Sequence, residues 1–257
     1  MLKIILSGAG GHMGQAVTAI CEQDEKIELV AGFDADTTRK NSYPLYLDPM
    51  EFPGSAHVLI DFSVPAALPG LLRYCLETKT PAVLCTTGYS EADDLEIVEA
   101  SRTIPVFKSG NMSLGANLLI ELTRKTAHIL GQNFDIEITE RHHRRKIDAP
   151  SGTALMLAEA AREALPFEPE YVYERQSVRK AREKQEIGIS SVRGGTIVGE
   201  HQVIFAGLDE VVELSHVAQS RNVFANGAIL AAKFLTTVNT PGLYNMRHIV
   251  SLAVGGN

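Results

Sequence analysis

The chain is short of positive charge: 24 Lys and Arg stand against 31 Asp and Glu, a formal net charge of −7. That balance argues against a generic nucleic-acid or anionic-membrane surface, so any anion site must be local. Cysteine is scarce. Cys21, Cys75 and Cys85 are odd in number, form no Cys-x-x-Cys pair and lie in apolar periodic stretches, so reduced, buried thiols in a cytoplasmic protein are expected. No apolar run is long enough to span a bilayer, and the N-terminal MLKIILSGAG meets glycines too early for a secretory signal. Without Cys pairs or a His-x-x-x-His spacing, no metal is expected. Tryptophan is absent, and there is no internal repeat or low-complexity tract. The rest is an ordinary globular composition, 45% apolar and 21% charged, long enough for one large core or two small ones.

Strand and helix patterns alternate over the first half. Apolar strands are read at 2–7, 27–34, 57–62, 81–86 and 104–108, and a helical face at 13–22 carries Met13, Val17, Ile20 and Cys21. SEAD, at Ser90 to Asp93, reads as a capping box. Ser113 can cap a long helix that ends at Gly131. This alternation implies a doubly wound parallel sheet covered on both faces, over residues 1–112. FDIEITE (134–140) then alternates apolar with acidic, like a half-exposed strand, and 170–217 reads as antiparallel β around a solvated loop at 179–185. We therefore expect an α/β fold: a nucleotide-type domain over 1–112, a second α+β domain over 113–222, and helices in 223–257 that return to the first.

SGAGGHMG follows the first strand and opens a helix, with Gly8, Gly11 and Gly14 three apart and Gly10 extra. Such glycines turn tightly, let backbone N–H groups approach a pyrophosphate and allow close helix–strand packing. Asp34 ends the second strand, where a carboxylate can bind the adenosine ribose and repel a 2′-phosphate. Arg39 and Lys40 lie near enough to compensate in part, so the reading leans to NADH with NADPH use possible. Thr86-Thr87-Gly88 and Ser109-Gly110-Asn111-Met112 end two further strands at the same crevice and suit a nicotinamide ribose and carboxamide.

An unbroken basic run, Arg141 to Lys146, precedes DAPSGTA. Strand alternation puts His142 and His143 on opposite faces. Arg144 and Arg145 read as solvated. Ser151, Gly152 and Thr153 open a helix whose N–H groups can meet an anion. Asp148 can pair with Lys146 or His142, and Arg193 before Gly194-Gly195 offers another cation. A dinucleotide loop plus a cationic cage suggests hydride transfer to a small carboxylate, with His142 or Lys146 moving the proton.

These stretches together resemble the 4-hydroxy-tetrahydrodipicolinate reductase (dihydrodipicolinate reductase) family over nearly the whole chain. ERHHRRKIDAPSGTA matches that family's E-x-H-H-x-x-K-x-D-A-P-S-G-T-A, and GAGGHMG, IDFSVP, TTG, GNMSLGAN, SVRGGTIVGEH and FANGA follow in order. The resemblance implies a Rossmann domain and a tetramer-forming α+β domain, in an NAD(P)H-dependent enzyme of lysine biosynthesis. It implies that Gly8, Ala9, Gly10, Gly11, His12 and Met13 hold the pyrophosphate and Asp34 the ribose. Cys85, Thr86, Thr87 and Ser109 to Met112 would hold the nicotinamide half. His142 and Lys146 would handle the proton, and His143, Ser151, Gly152, Thr153 and Arg193 would bind the dicarboxylate substrate. His12 and Ala35 stand where relatives often carry Arg, which again favours NADH. The competing readings are another two-domain dehydrogenase, a non-catalytic NAD(H)-binding redox sensor, and a solvated loop beside an ordinary helix cap.

Overall fold

The computed structural model describes residues 1–253, which divide into two compact units: Met1–Ser113 with the chain from Arg221 onward, and Leu114–Ser220. Among the described residues no helix is long and apolar enough to cross a membrane.

The first unit is built on β1 (Leu2–Ser7), β2 (Ile27–Phe33), β3 (Leu45–Tyr46), β4 (Val58–Asp61), β5 (Ala82–Leu84), β6 (Pro105–Lys108) and β12 (Gly242–Tyr244). All pair in parallel, in the order β12-β6-β5-β4-β1-β2-β3. Because strand side chains alternate, each strand feeds two cores. Ile4 and Leu6 pack with Val17 and Cys21 of α1 (His12–Cys21) and with Ala228 and Leu235 of α6 (Asn222–Leu235). Ile5 faces the other way, toward Leu71 of α2 (Leu68–Thr78) and Ile97 of α3 (Glu91–Ser101). α7 (Met246–Ala253) is the last described element, with Met246 and Ile249 in the first core. The capping box forms: Ser90 Oγ accepts from Asp93 N–H at 3.2 Å, and the Asp93 carboxylate accepts from Ser90 N–H at 2.8 Å. The two edge strands β3 and β12 carry no periodic signal, since each is only two or three residues long and follows a proline.

The second unit holds α4 (Leu114–Leu130), α5 (Gly152–Arg162) and a sheet of β7 (Asp135–His142), β8 (Glu170–Val172), β9 (Glu186–Arg193), β10 (Gly199–Ala206) and β11 (Val211–Ala218). Its order is β11-β10-β7-β9-β8. The antiparallel reading needs correction here. β10 runs antiparallel to β7 and β11, but β9 runs parallel to both β7 and β8. The chain crosses over through α5 between β7 and β9, and a crossover returns a strand in the same direction. A period of two marks a strand but carries no direction. The 179–185 loop is also less free than expected: Arg182 donates to Asp135 and Glu137 at 2.8 and 2.9 Å and is only 17% exposed.

The register of this sheet decides where chemistry can sit. Cross-strand rows Ile187–Ile136–Phe205–Val212 and Ile189–Ile138–Val203–Leu214 face the core under α4 and α5. The next row with the same parity is Ser191–Glu140–His201–His216, and beyond it Arg193 pairs with His142. One inward face thus changes from apolar to ionisable within a single strand step.

Candidate active site

In the first unit the glycine loop closes tightly. Gly8 N–H donates to Phe33 O at 2.8 Å and Gly11 N–H to Gly8 O at 3.0 Å. A Cβ at Gly14 would overlap the Gly8 carbonyl oxygen, so only glycine lets α1 meet the loop this closely. Gly10 N–H donates to Asp34 Oδ2 at 2.7 Å, and Asp34 Oδ1 accepts from Asp36 N–H at 3.0 Å. The backbone donors of Gly8, Gly10 and Gly11 therefore already have partners within the protein. Those of His12 and Met13 open α1, whose N-cap Gly11 has no capping side chain, and they carry the anion-binding potential of the helix N-terminus. A cleft of about 740 Å³ is walled by Gly8, Gly10, Gly11, Asp34, Arg39 and the Ser63–Val64 turn. A glycine-lined cleft with a carboxylate on its rim and an uncapped helix start fits a dinucleotide. Arg39 bridges that rim, donating from Nη1 to Gly10 O at 2.6 Å.

Ala9 is buried in the core behind the loop. Cys85 is buried too, and burial pushes its thiol well above the ordinary value, so its side chain is a packing group and only its backbone can face a ligand. Thr86 is buried with its hydroxyl donating to Asp61 at 2.6 Å, whereas Thr87 is exposed. Asp61, which the motif reading did not single out, organises this region. It is fully buried at the end of β4 and also accepts from Ser63 N–H at 3.0 Å and Tyr89 OH at 3.2 Å, so it ties together two strand-end loops. The signal was an acid closing an otherwise apolar strand. Ser109 Oγ donates to Asn111 O at 2.9 Å, Gly110 is exposed, and Met112 is buried beneath α6. Gly227 of FANGA permits that last contact, since a Cβ there would overlap the Met112 carbonyl.

In the second unit, Glu140, His142, Lys146, Asp148, Ser151 and Arg193 converge. Glu140 shares the inward parity of Ile136 and Ile138 and is fully buried. Its Oε2 lies 2.6 Å from His142 Nδ1, and Arg193 grips both carboxylate oxygens at 2.7 Å. Burial alone would raise the Glu140 carboxyl, but Arg193 and His142 outweigh it and hold the group at about 2. For His142 burial wins over Glu140 and holds the imidazole below its ordinary value. Lys146 Nζ sits 2.8 Å from Asp148. His143 is half-buried, and its Nδ1 has no hydrogen-bond partner. Arg144 and Arg145 are exposed, as expected.

Two expected substrate ligands are otherwise engaged. Ser151 caps α5 by accepting from Ala154 N–H at 3.2 Å, its hydroxyl lies 3.0 Å from His201 Nε2, and its own N–H donates to Glu140 at 3.1 Å. The anion at that N–H is thus the protein's own carboxylate. Arg193 also donates to Val192 O and Asp148 O, so its terminal nitrogens are fully committed. Gly152 faces open space, leaving the first turn of α5 accessible beside Thr153. His201, missed because GEHQ carries no spacing signal, is buried, and desolvation lowers it to about 4. Among the described residues no group of three or more His, Cys, Asp or Glu could hold a metal ion.

A family profile described as dihydrodipicolinate reductase, N-terminus, matches residues 2–112, and one described as dihydrodipicolinate reductase, C-terminus, matches residues 115–250. A 4-hydroxy-tetrahydrodipicolinate reductase from Caldanaerobacter subterraneus subsp. tengcongensis is 49% identical over 250 residues, spanning 97% of this chain and 98% of its own. One of the same name from Clostridium botulinum is 46% identical, over 98% and 99% of the two chains. Among solved structures, the dipicolinate-bound dihydrodipicolinate reductase of Paenisporosarcina sp. TG-14 shares the fold, with a TM-score of 0.81 at 23% identity over 95% of this chain and 97% of that one.

Proposed function

The chain belongs to the dihydrodipicolinate reductase family, and from that premise we propose how its own residues divide the reaction. It is an NAD(P)H-dependent oxidoreductase that reduces the cyclic imine dicarboxylate 4-hydroxy-tetrahydrodipicolinate to tetrahydrodipicolinate, in the diaminopimelate route to lysine. The observation that carries the assignment of roles is the convergence of an imidazole, an ammonium and the exposed Gly152 in the first turn of α5 at one edge of the second unit's sheet.

In this reading the first turn of α1, from His12 and Met13, binds the pyrophosphate, with Gly10 and Gly11 allowing its approach. Asp34 takes the adenosine ribose, and the carboxylate makes NADH the preferred donor. Thr87 and the backbone of Cys85, Thr86 and Ser109 to Met112 receive the nicotinamide half. When bound, the cofactor supplies the hydride. Gly152, Thr153 and His143 hold the substrate carboxylates, and Lys146 adds its charge once a substrate oxygen replaces Asp148. Hydride addition to the substrate ring, with the 4-hydroxyl leaving as water and one proton taken up, builds negative charge that this fixed cation stabilises. His142 and Lys146 are the groups that hold and move the proton.

Two further features belong to this reading. Val192, Val211 and Val217 stand 47%, 57% and 58% exposed on the outer face of the second sheet, which suits association of copies into a homotetramer. Three free, buried thiols suit a reducing cytoplasm.

The test is oxidation of NADH and NADPH, at matched concentrations, with enzymatically generated imine. Imine-dependent turnover that is faster with NADH supports the assignment. Oxidation independent of the imine would overturn it.

A further inference from the structure

We infer that Glu140, clamped by Arg193, is a positioning residue for the reduction: it fixes His142 in the tautomer that carries its proton on Nδ1 and leaves Nε2 as the exchanging atom. The inference rests on the reading of His142 as a proton-transfer group.

Three observations carry it. An ionised carboxylate only accepts, so the 2.6 Å contact between Glu140 Oε2 and His142 Nδ1 requires the proton on that nitrogen. The carboxylate has no freedom to turn away. Arg193 Nη1 holds Oε2 and Nη2 holds Oε1, both at 2.7 Å, and Ser151 N–H at the start of α5 adds a third donor to Oε1 at 3.1 Å. The opposite edge of the ring faces Gly199, where a Cβ would lie 3.1 Å from His142 Nε2, so no side chain of that residue crowds the exchanging atom.

The charged and titratable groups around the ring agree with this arrangement. Glu140 lies on its own strand, Arg193 on β9 and Lys146 with Asp148 on the following loop. His201 on β10 meets the ring edge-on at 5.2 Å between centroids. His201 is held neutral by burial, so it adds no opposing charge at neutral pH. The same fork–carboxylate geometry gives Arg193 its work. Rather than binding substrate, it keeps Glu140 ionised and in plane.

The experiment compares wild type with Glu140→Gln and His142→Gln. Long-range ¹H–¹⁵N spectra of the folded wild-type protein at neutral pH should show the Nδ1–H tautomer for His142; the Nε2–H tautomer would overturn the inference without any variant. In Glu140→Gln an amide donor must face either the His142 proton or the donors Arg193 and Ser151, so the tautomer is no longer enforced. We expect kcat to fall about 100-fold or more, within the range typical of positioned proton transfer, with KM for NADH unchanged. The limb of the pH profile set by His142 should move to lower pH, because the imidazolium loses its anion. Wild-type kcat and an unmoved limb in Glu140→Gln would sink the inference. Full activity in His142→Gln would instead remove the reading on which it rests, while the tautomer measurement would still report on Glu140.

Discussion

Lys146 and Asp148, two residues apart, face each other at 2.8 Å, and the ammonium beside it holds the Asp148 carboxyl below its ordinary value. On the proposed assignment of roles, the cation that meets the dicarboxylate is already paired, and binding would exchange one carboxylate for another. If Lys146 delivers the proton as proposed, Lys146→Ala should lower kcat by about 100-fold or more. It should also raise the substrate KM, because Asp148 is left to repel the incoming anion. Adding Asp148→Asn should recover much of the KM but little of the kcat. NADH affinity, measured by fluorescence titration, should stay near wild type in both. Unimpaired turnover in Lys146→Ala would take Lys146 out of the chemistry.

The rim of the nucleotide cleft makes a second prediction. In the proposed reading Asp34 disfavours a 2′-phosphate and Arg39 offers it a charge; Arg39 is bonded to the carbonyl of the same Gly10 whose N–H meets Asp34. Asp34→Ala should weaken NADH about tenfold, the scale of one hydrogen bond to a charged group, and so narrow the preference over NADPH. Arg39→Ala should weaken NADPH more than NADH. Competitive titration with the two cofactors checks both, and an unchanged ratio in Asp34→Ala would mean that another group reads the ribose.

Much of this was legible in the residues. The apolar runs and the glycine loop marked the first unit's parallel sheet, and the basic run before DAPSGTA marked the stretch where His142, Lys146 and Asp148 come together with Glu140 and Arg193. What was missed shares a physical cause. Glu140 reads as one more acid in an acid-rich strand, and only counting parity from Ile136 turns it inward. Ser151 and Arg193 carry no sign in the sequence that Glu140, a residue of another element, engages them both. Asp61 closes an apolar strand and His201 stands between Glu200 and Gln202, and no spacing rule singles out a group whose partners come from other elements. Strand direction on β9 failed for a related reason: alternation reports which face is buried, not which way the chain runs.

The cysteines should be inert in the native protein. Burial raises Cys21 to about 12 and pushes Cys75 and Cys85 up as well, so almost no thiolate is present at neutral pH. A thiol-reactive disulfide reagent at pH 8 should label none of the three within minutes, and all three after denaturation. Rapid native labelling of one residue, together with loss of activity, would show that it lies open at a working surface.

Stability should fall with acid in two overlapping stages. His201 is lowered from 6.5 to about 4 by burial, and Glu140 from 4.5 to about 2, where its hydrogen bonds from Arg193 and His142 overcome burial. In both cases the unfolded chain binds protons more readily than the folded one. Each contribution is therefore complete above the ordinary value and is lost as pH falls toward the folded value. For His201 that window runs from about pH 6.5 down to 4, and for Glu140 from about 4.5 down to 2, each amounting to roughly 3 kcal/mol. Urea midpoints should thus decline between pH 7 and pH 5, before carboxylates titrate. His201→Gln should flatten that decline without abolishing it, because His142 and His216 are also lowered by burial. A decline of equal slope in His201→Gln would mean that the folded protein accepts a proton on His201 as easily as the unfolded chain does, and that the polar row behind the site is more open to water than its packing implies.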